Sequence, residues 1–512
     1  MNKVFALFAC LLCLFSCNPN TNTPKNTIII GIEAHPQNLD PRIATNALAQ
    51  KINHLVFNGL VKTDKSLNLV PDLAQSYKIV TPTKYEFQLR SDVFFHNGKK
   101  LTSTDIKASY KSYMNKDNRS PFGPDLAKNI SAIKTPDANH ITFILKEPQS
   151  SFLTRMALPI FTKEQAEKTA NNTLKDSMLY GTGPFAFAPQ ESSMNNITLN
   201  KFEKHFSEKA KSDHLIFRVL QDHTLRTFEL IKGRIDILQN NVPYNLIPAV
   251  KKEQQLDFSS VPGVNFNYMA FNLNRSPLNK TAVRKAIALA LPVSKLITYK
   301  LMSMAEPATS VLSPAHWVFN KTLKPLQQNL NQAKKLLDQA GLTDPDGNGP
   351  LPRFKLTYKT SSNKERVEIA LLIAEELRKV GIEVNVESYE FGTFFRDIRQ
   401  GDFDLYTLTW VGITDPAIYD YIFHSRMVPP NGGNRGSYIN KNLDQLLEQA
   451  DQELDPEKYK TLYQKIQRIS FDDFPYAPLW YENNFAFYTK NLKDFELWPN
   501  ASFKGLIKAH KE

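Results

Sequence analysis

The sequence predicts a mixed α/β protein divided into two lobes, and three observations predict it. Strand-like runs alternate with amphipathic helical runs along the chain, an order that builds covered sheets rather than a bundle or a sandwich. At 512 residues the chain exceeds what one hydrophobic core organises, so two or more lobes are expected. Between about 350 and 410 the pattern reads strand, helix, strand, helix, strand, the order that sets ligand sites at strand ends.

The elements follow in order. Thr27–Ile32 is an apolar run broken only by Gly31, suited to a strand covered on both faces. Residues 85–90 alternate as a strand, and 94–99 read as a strand ending in the Asn97-Gly98 turn. Ser103 or Thr104 is positioned to cap a helix running through Tyr113. Further on, 354–358 alternate, 363–380 carry apolar residues at helical spacing with Gly381 as the C-terminal stop, and 382–386 alternate again. Residues 391–399 read as a helix and 402–410 as a strand. No internal repeat or low-complexity tract is visible beyond residues 18–26.

The amino terminus carries a separate signal. Lys3 precedes an apolar run from Val4 to Phe15, too short for a bilayer, which needs ~20 such residues. The run ends in Leu14-Phe15-Ser16-Cys17, which resembles a bacterial lipobox, so residues 1–16 are expected to be a signal peptide and Cys17 the site of lipid attachment. An ordinary cleaved signal peptide is the plainer reading. With two or three acyl chains on Cys17, each buried methylene contributing ~0.8 kcal/mol, anchoring would be permanent. Residues 17–26 are polar and turn-prone, hence a tether. All three cysteines, Cys10, Cys13 and Cys17, lie in this segment; the remaining chain contains no thiol, which excludes disulfides, cysteine nucleophiles and thiolate metal sites there and suits an oxidising compartment. No later stretch approaches ~18 uninterrupted apolar residues, so the body is expected to be water-soluble.

Composition is ordinary for a globular protein, 42% hydrophobic and 22% charged. The formal charge of +12, lowered by one to +11 without Lys3, invites nucleic acid or anionic lipid as partner. Lysines are scattered among acidic residues, however, and export removes nucleic acid from reach, so the charge reads as a solvated surface beside an anionic membrane.

Catalytic signatures are incomplete throughout. The sequence has no His-Glu-x-x-His, no Gly-x-Ser-x-Gly elbow and no P-loop, and no two of its ten histidines stand three or four residues apart. Gly181-Thr182-Gly183 lacks the third glycine of a dinucleotide loop and reads as a turn. Asp344 to Gly349 matches the first half of a calcium loop, but position twelve is Lys355, which provides no carboxylate, so a tight turn is expected. No catalytic residue, metal ligand or cofactor is assigned.

A collinear set of segments then carries a resemblance. These are Glu33 to Pro41, Leu55 to Leu60, Leu69 to Ala74, the block from Tyr85 to Tyr110 with Phe95-His96-Asn97-Gly98, Gly181 to Phe185, Gly233 to Asp236, Asn272 to Ala286, and Tyr463 to Trp480. Together they resemble the extracytoplasmic solute-binding proteins of the peptide and nickel group of ABC importers, the oligopeptide-binding family 5. The resemblance implies a periplasmic-binding-protein-like fold with mixed sheets: a first lobe over 27–264 with a subdomain inserted at about 46–175, a second lobe over 265–484, a hinge between them, and a segment 485–512 returning to the first lobe.

It implies equally a monomer that captures oligopeptides or peptide-like solutes in a closing cleft and delivers them to membrane permease subunits, without catalysis, outside the cytoplasm and lipid-anchored through Cys17. By matching position, Glu33, Ala34 and His35 would line the cleft from the first lobe, with Phe122 nearby. Asn265 and Tyr268 would approach the ligand where the chain crosses between lobes. Thr409, Trp410, Val411 and Gly412 would present a strand edge, and Lys364 and Arg399 would receive a peptide carboxylate.

One departure bears on specificity. Peptide-binding members place an aspartate three residues after the tryptophan to pair with the ligand's α-ammonium; here Trp410-Val411-Gly412-Ile413-Thr414-Asp415-Pro416 is one residue shorter and that aspartate is missing. Either Asp415 or Glu33 substitutes, or the ligand lacks a free amine and is a metal chelate, haem, sugar or modified peptide. An envelope enzyme is the third reading, and no nucleophile, base and orienting group stand together for it.

Overall fold

The computed structural model describes residues 24, 26–168, 179–347 and 349–512. The leader 1–16, Cys17 and most of the 17–26 tether lie outside the described residues.

An eleven-stranded mixed sheet runs through the molecule in the order 382–389, 354–361, 405–410, 256–271, 476–489, 237–239, 27–32, 214–219, 196–201, 185–187, with the short strand Ala305–Pro307 paired to Tyr476–Thr489. Thr27–Ile32 pairs in parallel with His214–Val219 and Ile237–Gln239; Phe354–Ser361 pairs in parallel with Ile382–Tyr389 and Leu405–Trp410. Helix crossovers of this kind force both faces to be covered. Accordingly Thr27–Ile32 is buried at every position. Ile28, Ile30 and Ile32 face one core and Ile29 faces another, the period-two consequence of the pleat.

Two long antiparallel strands, Leu256–Phe271 and Tyr476–Thr489, join the halves of this sheet. Their outer stretches pair with Ile237–Gln239 on one side of the molecule and with Leu405–Trp410 on the other. Between Pro262 and Asn265 the register shifts, interrupting the ladder where the strands pass from one half to the next. Beyond that shift the pleat again sorts side chains: Met269 and Phe271 enter one core with Ile287 and Leu356, whereas Phe266, Tyr268 and Ala270 enter an aromatic core with Tyr406, Tyr419 and Tyr481.

A separate four-stranded antiparallel sheet, ordered 74–81, 84–89, 140–145, 130–137, carries the helix Ser103–Met114. Its Phe87 and Phe143 share one hydrophobic core with Ile28 and Phe217 of the main sheet. After Thr489 the chain returns to that same core, to which Leu492, Phe503, Leu506 and Ala509 contribute.

Local corrections are small and physical. The helix at 103 is capped by Thr102, one residue before the expected cap, with Asp105 completing a capping box. Residues 94–99 form no strand, only an isolated bridge from Phe94 to Lys100 around Gly98 at φ +83°. The helix expected over 363–380 is Lys364–Arg378, capped by Asn363. Gly181-Thr182-Gly183, expected as a turn, is irregular backbone with a bend at Gly183, and the glycines let it lie against a helix end. A Cβ at either one would overlap the carbonyl oxygens of Val56 or Leu55, and the Gly183 N–H donates to Val56 O at 2.8 Å.

Candidate functional site

A cavity of about 400 Å³ opens where the two halves of the main sheet meet. The helix Ala47–Val56 forms one wall. Asn46 caps it by accepting from the Leu48 and Ala49 N–H groups, and Ala49, Ile52, Leu55 and Val56 bury one face. Lys51 and His54, three apart and therefore neighbours on the helix surface, project into the cavity. Phe122, Thr154 and Arg155 line it from the same lobe, Val264 and Asn265 from the crossing strand, Val411 and Gly412 from the opposite lobe, and Asn500 to Ser502 from the returning carboxyl-terminal segment.

The crossing is fixed by one carboxylate. Glu482 accepts from the side-chain amides of Asn265 at 2.9 Å and Asn267 at 3.0 Å. The other end of each amide holds the opposite strand: Asn265 Oδ1 accepts from the Gly412 N–H at 2.9 Å, and Asn267 Oδ1 accepts from the Thr409 hydroxyl at 2.6 Å. Gly412 has φ +68°, a left-handed conformation at the cavity rim that a glycine adopts without strain.

Behind this rim lies an aromatic stack. Trp410 is half-buried, its ring 6.1 Å from Tyr268 and nearly parallel, with Tyr268 stacked in turn on Tyr476 at 4.1 Å. Arg435 packs its guanidinium 4.9 Å from the Trp410 ring and lies among the hydroxyls of Tyr268, Tyr406 and Tyr476. Among the described residues no carboxylate forms an ion pair with Arg435, so aromatic faces and hydroxyls hold this buried cation.

The strand edge has a notable asymmetry. Leu405–Trp410 pairs along its whole length with Phe266–Phe271 residues on one side, but on the other only Leu405 and Tyr406 meet Phe354–Ser361. Thr407 to Trp410 therefore present an outer edge with no strand partner among the described residues.

Charge around the cavity is one-sided. Desolvation at the cleft wall, with Lys504 and Lys51 beside it, lowers His54 from its ordinary value, although the side chain keeps solvent access at the cavity mouth. Burial also lowers Lys51, opposed by Glu33. Lys504, across a smaller adjoining cavity of about 50 Å³ that it shares with His54, is lowered by burial and by Lys62 and supported by Asp72. Arg155 is bound to Asp125 at 2.8 Å.

Of the residues expected at the ligand, Phe122, Asn265, Val411 and Gly412 line the 400 Å³ cavity. Glu33, Ala34 and His35 are exposed in the bend after Thr27–Ile32 and line no cavity described here; Glu33 acts on it through its field at Lys51. Tyr268 is buried behind Trp410, and Thr409 is spent on Asn267. Lys364, at the start of its helix, and Arg399, on the outer face of Phe391–Gln400, are exposed and line neither interlobe cavity. Asp415 lies in a second interlobe cavity of about 310 Å³ with Thr154, Trp317 and Tyr459, and its carboxylate accepts from the Ala417 N–H at 2.9 Å. Burial raises it. Lys51, His54, Arg155 and the 500–502 segment were not legible beforehand; the only signal was two basic residues three apart on an otherwise well-buried helix.

Residues 68–427 match the family model described as bacterial extracellular solute-binding proteins, family 5, middle region. The chain belongs to that family. Membership assigns this family 5 protein to extracytoplasmic ligand capture for an ABC importer, and its curated relatives are binding proteins. It is 26% identical over 498 residues to the oligopeptide-binding protein AppA of Bacillus subtilis, covering 94% of this chain and 91% of the relative. The solved structure of that protein, in complex with a nonapeptide, superposes with TM-score 0.75 over 96% of this chain and all of the other. HbpA2 of Haemophilus parasuis, 23% identical, gives TM-score 0.84 over 95% of this chain and 100% of its own, a likeness of fold. The two-lobed architecture expected of family 5 is thereby established.

Proposed function

We propose that this family 5 protein captures peptides or peptide-like solutes in the cavity between its lobes. The unpaired outer edge of Thr407 to Trp410, ending at the cavity rim formed by Val411 and Gly412, carries this reading. A peptide added there as an extended strand gains main-chain hydrogen bonds irrespective of its side chains, which is how broad specificity arises. Relatives named for oligopeptides and for di- and tripeptides support the ligand class. In this reading Phe122 and Asn265 face the ligand, and Trp410 stiffens the edge from behind.

The lobes, divided at 264/265 and 484/485, close about the ladder interruption at Pro262 and Asn265. Segment 485–512 belongs with the first lobe, as does the 46–175 subdomain. The protein works as a monomer tethered by acylated Cys17 at the outer side of a membrane, and passes its ligand to permease subunits. Isothermal titration with defined di- to octapeptides tests the reading: saturable one-to-one binding is expected, and no heat with any peptide would refute it.

A further inference from the structure

The cavity between the lobes is lined by Lys51, His54 and Arg155 and by no aspartate or glutamate among the described residues. Arg155 is already paired with Asp125. Lys51 is not paired in this way: it forms no ion pair among the described residues, its amino group stands 5.8 Å from the Phe503 ring, and the acidic group acting on it is Glu33, at the exposed bend outside the cavity. Lys504 adds a third basic group beside His54, supported by Asp72, which Lys62 already holds at 3.1 Å. Facing them across the cleft, the second lobe offers Val411, Gly412 and Thr414, which are uncharged. Asp415 lies in the adjoining cavity, its carboxylate accepting from the Ala417 N–H and acting on Thr154 and Arg155, so it offsets Arg155 rather than Lys51.

Lys51 and Lys504, with the Asp125-paired Arg155, stand in a partly desolvated cleft where like charges repel and lose hydration, so the empty cavity is electrostatically unfavourable. A ligand bearing negative charge reverses both terms, because Lys51 gains a counter-ion and His54 gains a reason to take up a proton. A ligand ammonium meets the opposite situation, with no carboxylate in the lining to receive it.

Building on the peptide-binding reading, we infer that the cleft selects acidic ligands, peptides or peptide-like solutes whose carboxylates are received by Lys51 and His54. Carboxylate charge in the ligand, rather than its α-ammonium, then sets affinity, and binding draws a proton onto His54.

Titration calorimetry of the full chain with an alternating alanine–glutamate tetrapeptide and its glutamine isostere decides the matter. The acidic peptide is expected to bind about tenfold more tightly at low salt, with a preference that shrinks as ionic strength rises. In buffers of different ionisation heat it should show proton uptake that grows as the pH is lowered below 7. Lys51→Gln should erase most of the preference, and His54→Gln should abolish the proton uptake, so either variant suffices if the other fails to fold. Equal or tighter binding of the glutamine peptide would overturn the inference while leaving the peptide reading intact. Binding of neither peptide would remove both.

Discussion

Asn265 accepts a hydrogen bond from the Gly412 N–H at 2.9 Å, tying the strand that crosses between the lobes to the loop that rims the cavity. Its amide nitrogen simultaneously donates to Glu482. Asn265→Ala leaves the Gly412 N–H without this partner and Glu482 with Asn267 alone, and should cost about 2 kcal/mol of stability, since one of the two lost bonds is to a charged group. Asn265→Asp should be worse, because a second carboxylate then faces Glu482. Thermal unfolding at pH 7 checks the order: wild type, then Ala, then Asp.

Trp410 is tied into the core through Tyr268 and Arg435 as well as standing at the strand edge. Trp410→Ala should therefore weaken peptide binding and also destabilise the empty protein by ~2–4 kcal/mol, the range for removing a large packed aromatic together with a cation–π contact. Trp410→Phe should recover most of the stability. Denaturant melts of the two variants, read beside their dissociation constants, separate the two roles.

His96 and His316 give the fold a sensitivity to acid. His96 Nδ1 accepts from the Gly181 N–H at 3.2 Å while Nε2 donates to Gly183 O at 3.0 Å. His316 likewise accepts from Val318 N–H at 3.3 Å and donates to Thr414 O at 3.2 Å. Each ring must be neutral to do both, and burial holds each down to about 4 from 6.5. Because the unfolded chain then binds the proton more readily, the contribution of these two rings is flat above pH 7 and is lost as pH falls from 6.5 to 4, by roughly 3 kcal/mol per ring at the low end, opposed in part by Asp451, whose carboxyl burial raises to about 6. Urea melts at pH 7, 5.5 and 4.5 should show the decline, and His316→Gln should flatten part of it.

Gly181 and Gly183 sit against the carbonyl end of the Ala47–Val56 helix, whose other turns carry Lys51 and His54. A methyl group at Gly181 would displace the helix end. Gly181→Ala is expected to lower the melting temperature and to weaken ligand binding through the moved helix; unchanged binding would separate that segment from the site.

Much of this architecture was readable from residue order. A continuous apolar run gave Thr27–Ile32 and alternation gave the strands from 354 to 410, because a strand's pattern depends only on which faces are covered. The strand read at 94–99 misled because two aromatics beside an Asn-Gly turn look like a strand, whereas only one bridge forms there. The site was less legible. Val411 and Gly412 were found because they follow a recognisable strand, but Lys51 and His54 reach the cavity only because the carboxyl-terminal segment 500–504 folds back nearly the whole length of the chain to enclose them. Lys364 and Arg399 were basic residues in the right region whose helices turn them to solvent, a fact set by which helix face packs on the sheet and invisible in local spacing.

Ala47 offers the most direct test of capture in this cavity, being exposed, outside the core and part of the lining. Wild type and Ala47→Trp would each be incubated with a peptide mixture, freed of unbound material, denatured, and the released ligand weighed by mass spectrometry. The account predicts peptides of unaltered mass from the wild type and little or none from the filled variant. Cleaved or modified products, or equal retention by both proteins, would contradict it.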